Sequence, residues 1–227
     1  PRDIADVVAV VETAARYGVP VLPRGAGTSL AGQTVGHAIV IDFSKYMRKL
    51  LEINSEEGWV KTQPGIIIDE LNSKLSSHKV QFAPDPSTSN RANVGGALGN
   101  NSCGAHSILW GKTIDHVNEL DVVLSDGSLA NLGLQDTNSL KTKTNLEGLE
   151  GQIYRGLLTV ADIYGDEIHN RFPKIQRRVS GYNLDELSDA SRIDTARFVV
   201  GSEGTLVAIT EAKLRVVPTP KFKGLAI

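Results

Sequence analysis

PRGAGTSLAG (23–32) is the stretch on which the fold turns. It follows the apolar run VPVLP (19–23), which reads as a short buried strand. Gly25 and Gly27 let main-chain N–H groups come close to a ligand and take up positive φ. Arg24, Thr28 and Ser29 add a cation and two hydroxyl donors. Together they suit a phosphate or pyrophosphate. The alternative is a tight turn made for packing.

Two commoner nucleotide motifs fail here. A GxGxxG dinucleotide fingerprint needs a third glycine at position 30, where Leu30 stands, although Asp42 at the end of the next strand imitates the ribose-binding acid. A phosphate loop ending in Gly111-Lys112-Thr113 needs a glycine at position 106, where His106 stands. The GKT triplet therefore reads as incidental.

Upstream of the loop, residues 3–17 (DIADVVAVVETAARY) space their apolar side chains by three and four, which predicts an amphipathic helix closed by Gly18. Downstream, HAIVIDF (37–43) is a second strand. KLLEIN (49–54) and GWVKTQPG (58–65) form a hairpin around Ser55-Glu56-Glu57. Residues 66–78 read as a helix. VNELDVVLSDGSLANL (117–132) is a strong hairpin with Asp126-Gly127 at its turn. Residues 133–148 read as a polar surface loop, 149–172 as mostly helix and 173–196 as irregular. Residues 197–218 bring an apolar run, a glycine turn and an alternating strand from Leu206 to Val216.

Composition narrows the classes. The chain has 227 residues, 41% hydrophobic and 22% charged, enough for a substantial core. A net charge of −2 offers no basic surface for nucleic acid or acidic membrane. Cys103 is the only cysteine, so no internal disulfide forms; a reducing, cytoplasmic setting is expected, with a peripheral place at the membrane as the alternative, and Cys103 reads as a small buried thiol. No apolar run approaches the ~18–20 residues of a membrane helix. No two of the histidines sit at metal spacing, and no metal is expected. The start at Pro1 and the end FKGLAI (222–227), which reads as the beginning of a strand, suggest an excised piece of a longer protein.

Two further glycine segments join the first: PDPSTSNRANVGGALGNNSCG (84–104) and GSEGT (201–205). Such clustering brings bare main chain against a large or extended ligand. The order PRGAGTSLAG, PDPSTSNRANVGGALGNNSCG, WGKTIDHV, VVGSEGTLVAITEAKLRVVP closely resembles the FAD-binding domain of the vanillyl-alcohol oxidase / para-cresol methylhydroxylase (PCMH) family. Within it, the chain is most similar to the FAD-linked oxidases that act on 2-hydroxy acids: glycolate oxidase FAD subunits, D-lactate dehydrogenases and D-2-hydroxyglutarate dehydrogenases.

The resemblance implies a two-lobed α+β domain of the PCMH type with noncovalent FAD between the lobes. Residues 1–65 would form a small α/β lobe. Residues 66–220 would form a larger lobe with a mainly antiparallel sheet flanked by helices, and 221–227 the start of a cap domain. Arg24, Gly25, Ala26, Gly27, Thr28 and Ser29 match the family's pyrophosphate loop. Pro86, Ser87, Val94, Gly95, Gly96, Asn100, Ser102 and Gly104 match the stretch that runs past pyrophosphate and flavin. Glu203, Gly204 and Ile209 match the stretch near the adenosine and ribityl portion. Thr28 stands where some members tether FAD to a histidine, so no such linkage is expected. His106 is expected to be solvated or hydrogen-bonded rather than touching flavin.

The implied chemistry is hydride transfer from a 2-hydroxy acid, such as D-lactate or glycolate, to flavin N5, with an iron–sulfur domain or subunit as an electron-accepting partner. The base and most of the carboxylate clamp would lie in the cap. Within this chain the candidates are Arg178 for the carboxylate, with Tyr182 and Asn183 lining the pocket; the alternative is a basic surface loop with Tyr182 packed for structure. Two other functions remain open: a different enzyme on the same FAD domain, such as an alkylglycerone-phosphate synthase or a cell-wall reductase, and a nucleotide-phosphate module without redox chemistry.

Overall fold

The computed structural model describes residues 1–222 and 224. Part of the expected cap start, at 223 and 225–227, lies outside the described residues.

The amino-terminal helix α1 (Ile4–Tyr17) is capped by Asp3, whose carboxylate accepts from the Asp6 amide at 3.1 Å, and ends on Gly18 in the left-handed region. Its stripe of Val7, Val11 and Ala14 is buried. Strands β1 (Val21–Arg24) and β2 (Ile39–Asp42) pair in parallel, with Arg24 opposite Asp42. The first strand is half-buried rather than buried, because its two-stranded sheet packs on few neighbours. Val7 and Val11 cluster with Ile41, Phe43, Met47, Val123 and Ala208, so this small α/β unit is fastened to the rest of the molecule by apolar contact.

Next come the hairpin β3 (Leu50–Asn54) and β4 (Trp59–Thr62), helix α2 (Ile68–Leu75), the short β5 (Val80–Gln81), α3 (Val94–Asn100) and α4 (Ser107–Trp110). The expected hairpin at 117–132 is present as β6 (Val117–Val123) and β7 (Leu129–Asp136), with Gly127 at φ 90° in the turn. Beyond it lie α5 (Thr137–Thr144), the long α6 (Gly148–Arg171), β8 (Arg192–Asp194), α7 (Thr195–Val199), β9 (Ala208–Arg215) and β10 (Val217–Pro218).

Six strands form one antiparallel sheet in the order β3-β4-β9-β6-β7-β8. Leu71, Leu75, Leu98, Leu120 and Leu214 are fully buried in the main core. Burying each contributes about 1.5–3 kcal/mol. A satellite core of Leu140, Tyr154, Leu187 and Ile193 seats α6 and β8.

β3 and β4 precede residue 65, and β4 pairs with β9, Trp59 opposite Arg215. Two expectations change. Residues 133–148 are not a loop; β7 continues to Asp136, which caps α5 by accepting from the Asn138 and Ser139 amides. TNSLKTKT carries one buried apolar anchor, Leu140, too little for periodicity to show. The stretch 173–196, expected to be irregular, contains β8 and the start of α7.

Candidate functional site

All three glycine-rich segments meet in one cleft between the small parallel unit and the large sheet. The loop after β1 supplies Arg24 to Ser29. Its backbone amides at residues 25–29 have no hydrogen-bond acceptor among the described residues. Gly27 sits at φ 66°, which turns the loop back on itself. Five neighbouring N–H groups without a protein acceptor, with a guanidinium at the loop's root, are the donor set that an anion requires.

Arg24 is not a free cation. Its Nη2 donates to Asp42 Oδ2 at 2.9 Å across the parallel pair. Asp42 Oδ1 also accepts from the Ser44 amide at 2.9 Å and the Ser44 hydroxyl at 2.6 Å. Burial acts to raise the Asp42 pKa, but the Ser44 bonds and the guanidinium outweigh it and hold the carboxyl below the usual carboxylate range. The ribose-binding role that Asp42 imitates in the sequence is thus replaced by an ion pair that aims Arg24.

The second wall is α3. Residues 93–95 run beside 64–66: Val94 N donates to Ile66 O at 2.9 Å and Gly95 N to Pro64 O at 2.8 Å. A Cβ on Gly95 would stand 2.7 Å from Pro64 Cβ, so only glycine permits this approach. A Cβ on Gly96 would meet nothing within 4 Å, because Gly96 faces the cleft. The third wall is the 201–204 turn. Gly201 N donates to Leu98 O at 2.8 Å and Glu203 N to Gly99 O at 2.9 Å, which ties the turn to α3. Glu203 is held at φ 54°, a conformation that side chains rarely adopt and that clusters at ligand sites.

Most of the expected cofactor residues line this cleft: Arg24, Gly25, Ala26, Gly27, Thr28, Ser29, Gly95, Gly96, Asn100, Ser102, Glu203, Gly204 and Ile209. Pro86, Ser87, Val94 and Gly104 do not. Val94 is fully buried in the core, and Gly104 is pressed against the Asp85 backbone. Sequence reasoning missed Gln33, Phe43, Pro64, Asn93 and Val207 among the other residues that line the cleft. Asn93, a polar residue between apolar Ala92 and Val94 in a buried stretch, was the readable signal.

Of the substrate candidates, Arg178 and Asn183 stay joined, Arg178 Nη2 donating to Asn183 Oδ1 at 3.2 Å. The Tyr182 hydroxyl lies 2.9 Å from Thr205 Oγ1, at the edge of the third wall. Asn183 is 3% exposed and donates to Val200 O, a structural bond. Arg178 lines a second hollow, where it binds both oxygens of Asp185 at 2.7 and 2.8 Å and stacks 4.1 Å from the Phe172 ring. Cys103 is half-buried, not buried. His106 is exposed and its Nδ1 contacts the Asp85 carboxylate at 2.5 Å.

Comparison with known proteins gives the family and the fold. D-2-hydroxyglutarate dehydrogenase of Pseudomonas putida is 39% identical over 222 residues, covering 97% of this chain and 22% of the relative. Its counterpart in Pantoea ananatis is 36% identical over 228 residues, covering 98% and 22%. Glycolate oxidase subunit GlcD of Bacillus subtilis is 28% identical over 225 residues, covering 98% and 37%. The chain therefore spans about a fifth to a third of the length of these curated relatives. An alkyldihydroxyacetonephosphate synthase structure superposes with a TM-score of 0.64 at 22% identity, over 98% of this chain and 32% of that one, which shows the same fold. The profile of the family described as FAD binding domain matches residues 1–133, the stretch that carries the first two walls of the cleft, and the chain belongs to that family.

Proposed function

We propose that this chain is the FAD-holding domain of an oxidoreductase that dehydrogenates a 2-hydroxy acid. The observation that carries the first half is the loop at 25–29, whose acceptor-free amides and ion-paired Arg24 suit a pyrophosphate. The second half rests on the names of the relatives, which are dehydrogenases or oxidases of D-2-hydroxyglutarate, glycolate and D-lactate. These favour the hydroxy-acid reading over a synthase, for which only the fold speaks.

Bound in the cleft, FAD would supply the acceptor for the hydrogen lost from the carbon that bears the substrate hydroxyl. The chain's own residues then have four tasks. The 25–29 amides with Thr28 and Ser29 hold the pyrophosphate. Asp42 keeps the Arg24 guanidinium fixed toward it. Gly95 and Gly96 present bare main chain along α3. The turn at Ser202 to Gly204, hung from α3, closes the far side, and Val207 just before β9 and Ile209 within it shield it from water. Pro86, Ser87, Val94 and Gly104 belong to this proposal only as residues that shape the second segment.

Among the described residues no helix is long and apolar enough to cross a membrane. We place the protein in the cytoplasm on its single cysteine. An electron-accepting iron–sulfur domain or subunit is part of the same proposal.

The test is a titration of the purified protein with FAD, followed by visible absorbance, and then anaerobic bleaching of the longer parent protein by a panel of 2-hydroxy acids. Stoichiometric flavin uptake and bleaching by at least one hydroxy acid are expected. No uptake by either polypeptide refutes the cofactor; uptake without bleaching by any hydroxy acid refutes the substrate class.

A further inference from the structure

The cleft holds more than phosphate chemistry requires. Among the described residues, the buried side-chain polar atoms without a hydrogen-bond partner are Gln33 Oε1, Asn93 Oδ1, Asn101 Nδ2 and His116 Nδ1. Gln33 and Asn93 both line the cleft, and both of their orphaned atoms are carbonyl oxygens, which only accept.

Asn93 is 2% exposed. Its Nδ2 donates to Gly65 O at 2.6 Å, which fixes the plane of the carboxamide and assigns the oxygen to the other side. That oxygen points at the phosphate-type loop: a Cβ built on Gly25 would stand 2.9 Å from it. Native proteins rarely leave a buried acceptor without a donor. A pyrophosphate diester has no proton to offer, so it does not satisfy Asn93. The donor must lie next to the pyrophosphate along the ligand; in a flavin dinucleotide the neighbours are the ribityl polyol on one side and the adenosine ribose on the other, and loss of a single ribityl hydroxyl tells the two apart. Gln33 repeats the pattern at the other end of α3: its Nε2 donates to Asn100 Oδ1 at 3.1 Å and its oxygen is left over. Asn93 and Asn100 stand about 10 Å apart by helical rise, so acceptors flank the bare glycine face at both ends.

We propose that Asn93 Oδ1 accepts a hydrogen bond from a ribityl hydroxyl, making Asn93 a cofactor-positioning residue that registers the flavin along α3; this inference rests on the FAD reading above. The carboxamide acts as a ruler: it tells an open ribityl chain from the closed ribose ring that a nicotinamide dinucleotide carries at that place.

The experiment titrates FAD and its 2′-, 3′- and 4′-deoxyribityl analogues into the full-length protein and into Asn93→Ala, with flavin fluorescence as the readout. One analogue is expected to bind the unaltered protein roughly 3- to 10-fold more weakly than FAD, and that penalty is expected to vanish in Asn93→Ala. Should Asn93→Ala fail to fold, Asn93→Ser takes its place. Equal binding of all the analogues by the unaltered protein overturns the proposal, as does a deoxy penalty that survives in the variant. Absence of FAD binding by the unaltered protein is a separate result and strikes the proposed function itself.

Discussion

Replacing Gly96 by alanine should make the protein more stable and its cofactor affinity worse. Gly96 lies inside α3 with ordinary helical φ, and an added Cβ meets no atom within 4 Å. Alanine there removes conformational freedom from the unfolded chain and improves helix propensity, together worth about 0.4–1 kcal/mol. For a domain of this size each kcal/mol moves Tm by roughly 2–4 °C. The ligand-free variant should therefore melt roughly 1–4 °C above the parent. The same methyl stands on the cleft wall, where a ligand pressed against bare main chain must give way. Overpacking by one methyl costs about 1–3 kcal/mol, which is roughly a 5- to 150-fold loss of FAD affinity. Melting curves with and without saturating FAD read both numbers, since ligand stabilisation follows affinity. A variant that melts lower without FAD, or that binds FAD as tightly as the parent, refutes the placement of α3 as the ligand's platform.

Gly65→Ala is the opposite case: its Cβ would lie 2.0 Å from Phe43 O and 2.6 Å from Met47 O, both rigid main chain, so a loss of about 3 kcal/mol and a Tm drop of roughly 6–12 °C are expected; a drop under 2 °C would show that the 43–47 turn is soft. Asp42 carries a depressed carboxyl pKa in the folded state, against burial and through its Ser44 and Arg24 bonds. Its contribution is therefore present above the unfolded value near pH 4 and is lost as pH falls through the lower folded one. Asp42→Asn should flatten the acid limb of the stability curve below about pH 4, and superimposable acid limbs refute the pairing. Arg178→Met should lower stability by about 1 kcal/mol, because Asp185 is partly exposed and loses one partner, while flavin affinity stays unchanged; a raised hydroxy-acid KM in the parent enzyme with no change in Tm would return Arg178 to the substrate.

The sequence made some parts of this legible and hid others for identifiable reasons. Asp126-Gly127 between two alternating runs declared its hairpin, because that turn chemistry is local. The alternation in ITEAKL declared β9 but not its neighbours, β4 and β6, since partner choice depends on residues far away along the chain. α5 stayed hidden behind its lone apolar anchor Leu140, and β8 behind its length. At the cleft, the glycine loops were visible because bare main chain is a compositional signal. Gln33 was not, and Asn93 only as a polar residue in an apolar stretch, because an unpaired carbonyl exists only once its surroundings have folded. Arg178, beside Arg177 in a basic stretch, looked available for a carboxylate until Asp185 came within 2.7 Å of it.

The insertion of β9 between β4 and β6 has a consequence for biosynthesis. The strand that joins the amino-terminal hairpin to the central one is synthesised after both of them, with residues 59 and 215 facing each other. Until then both hairpins wait with open edges, the kind of surface that recruits a stranger's backbone. Closure over so long a span of chain is slow, so the nascent protein depends on holding those edges apart until residue 215 is released.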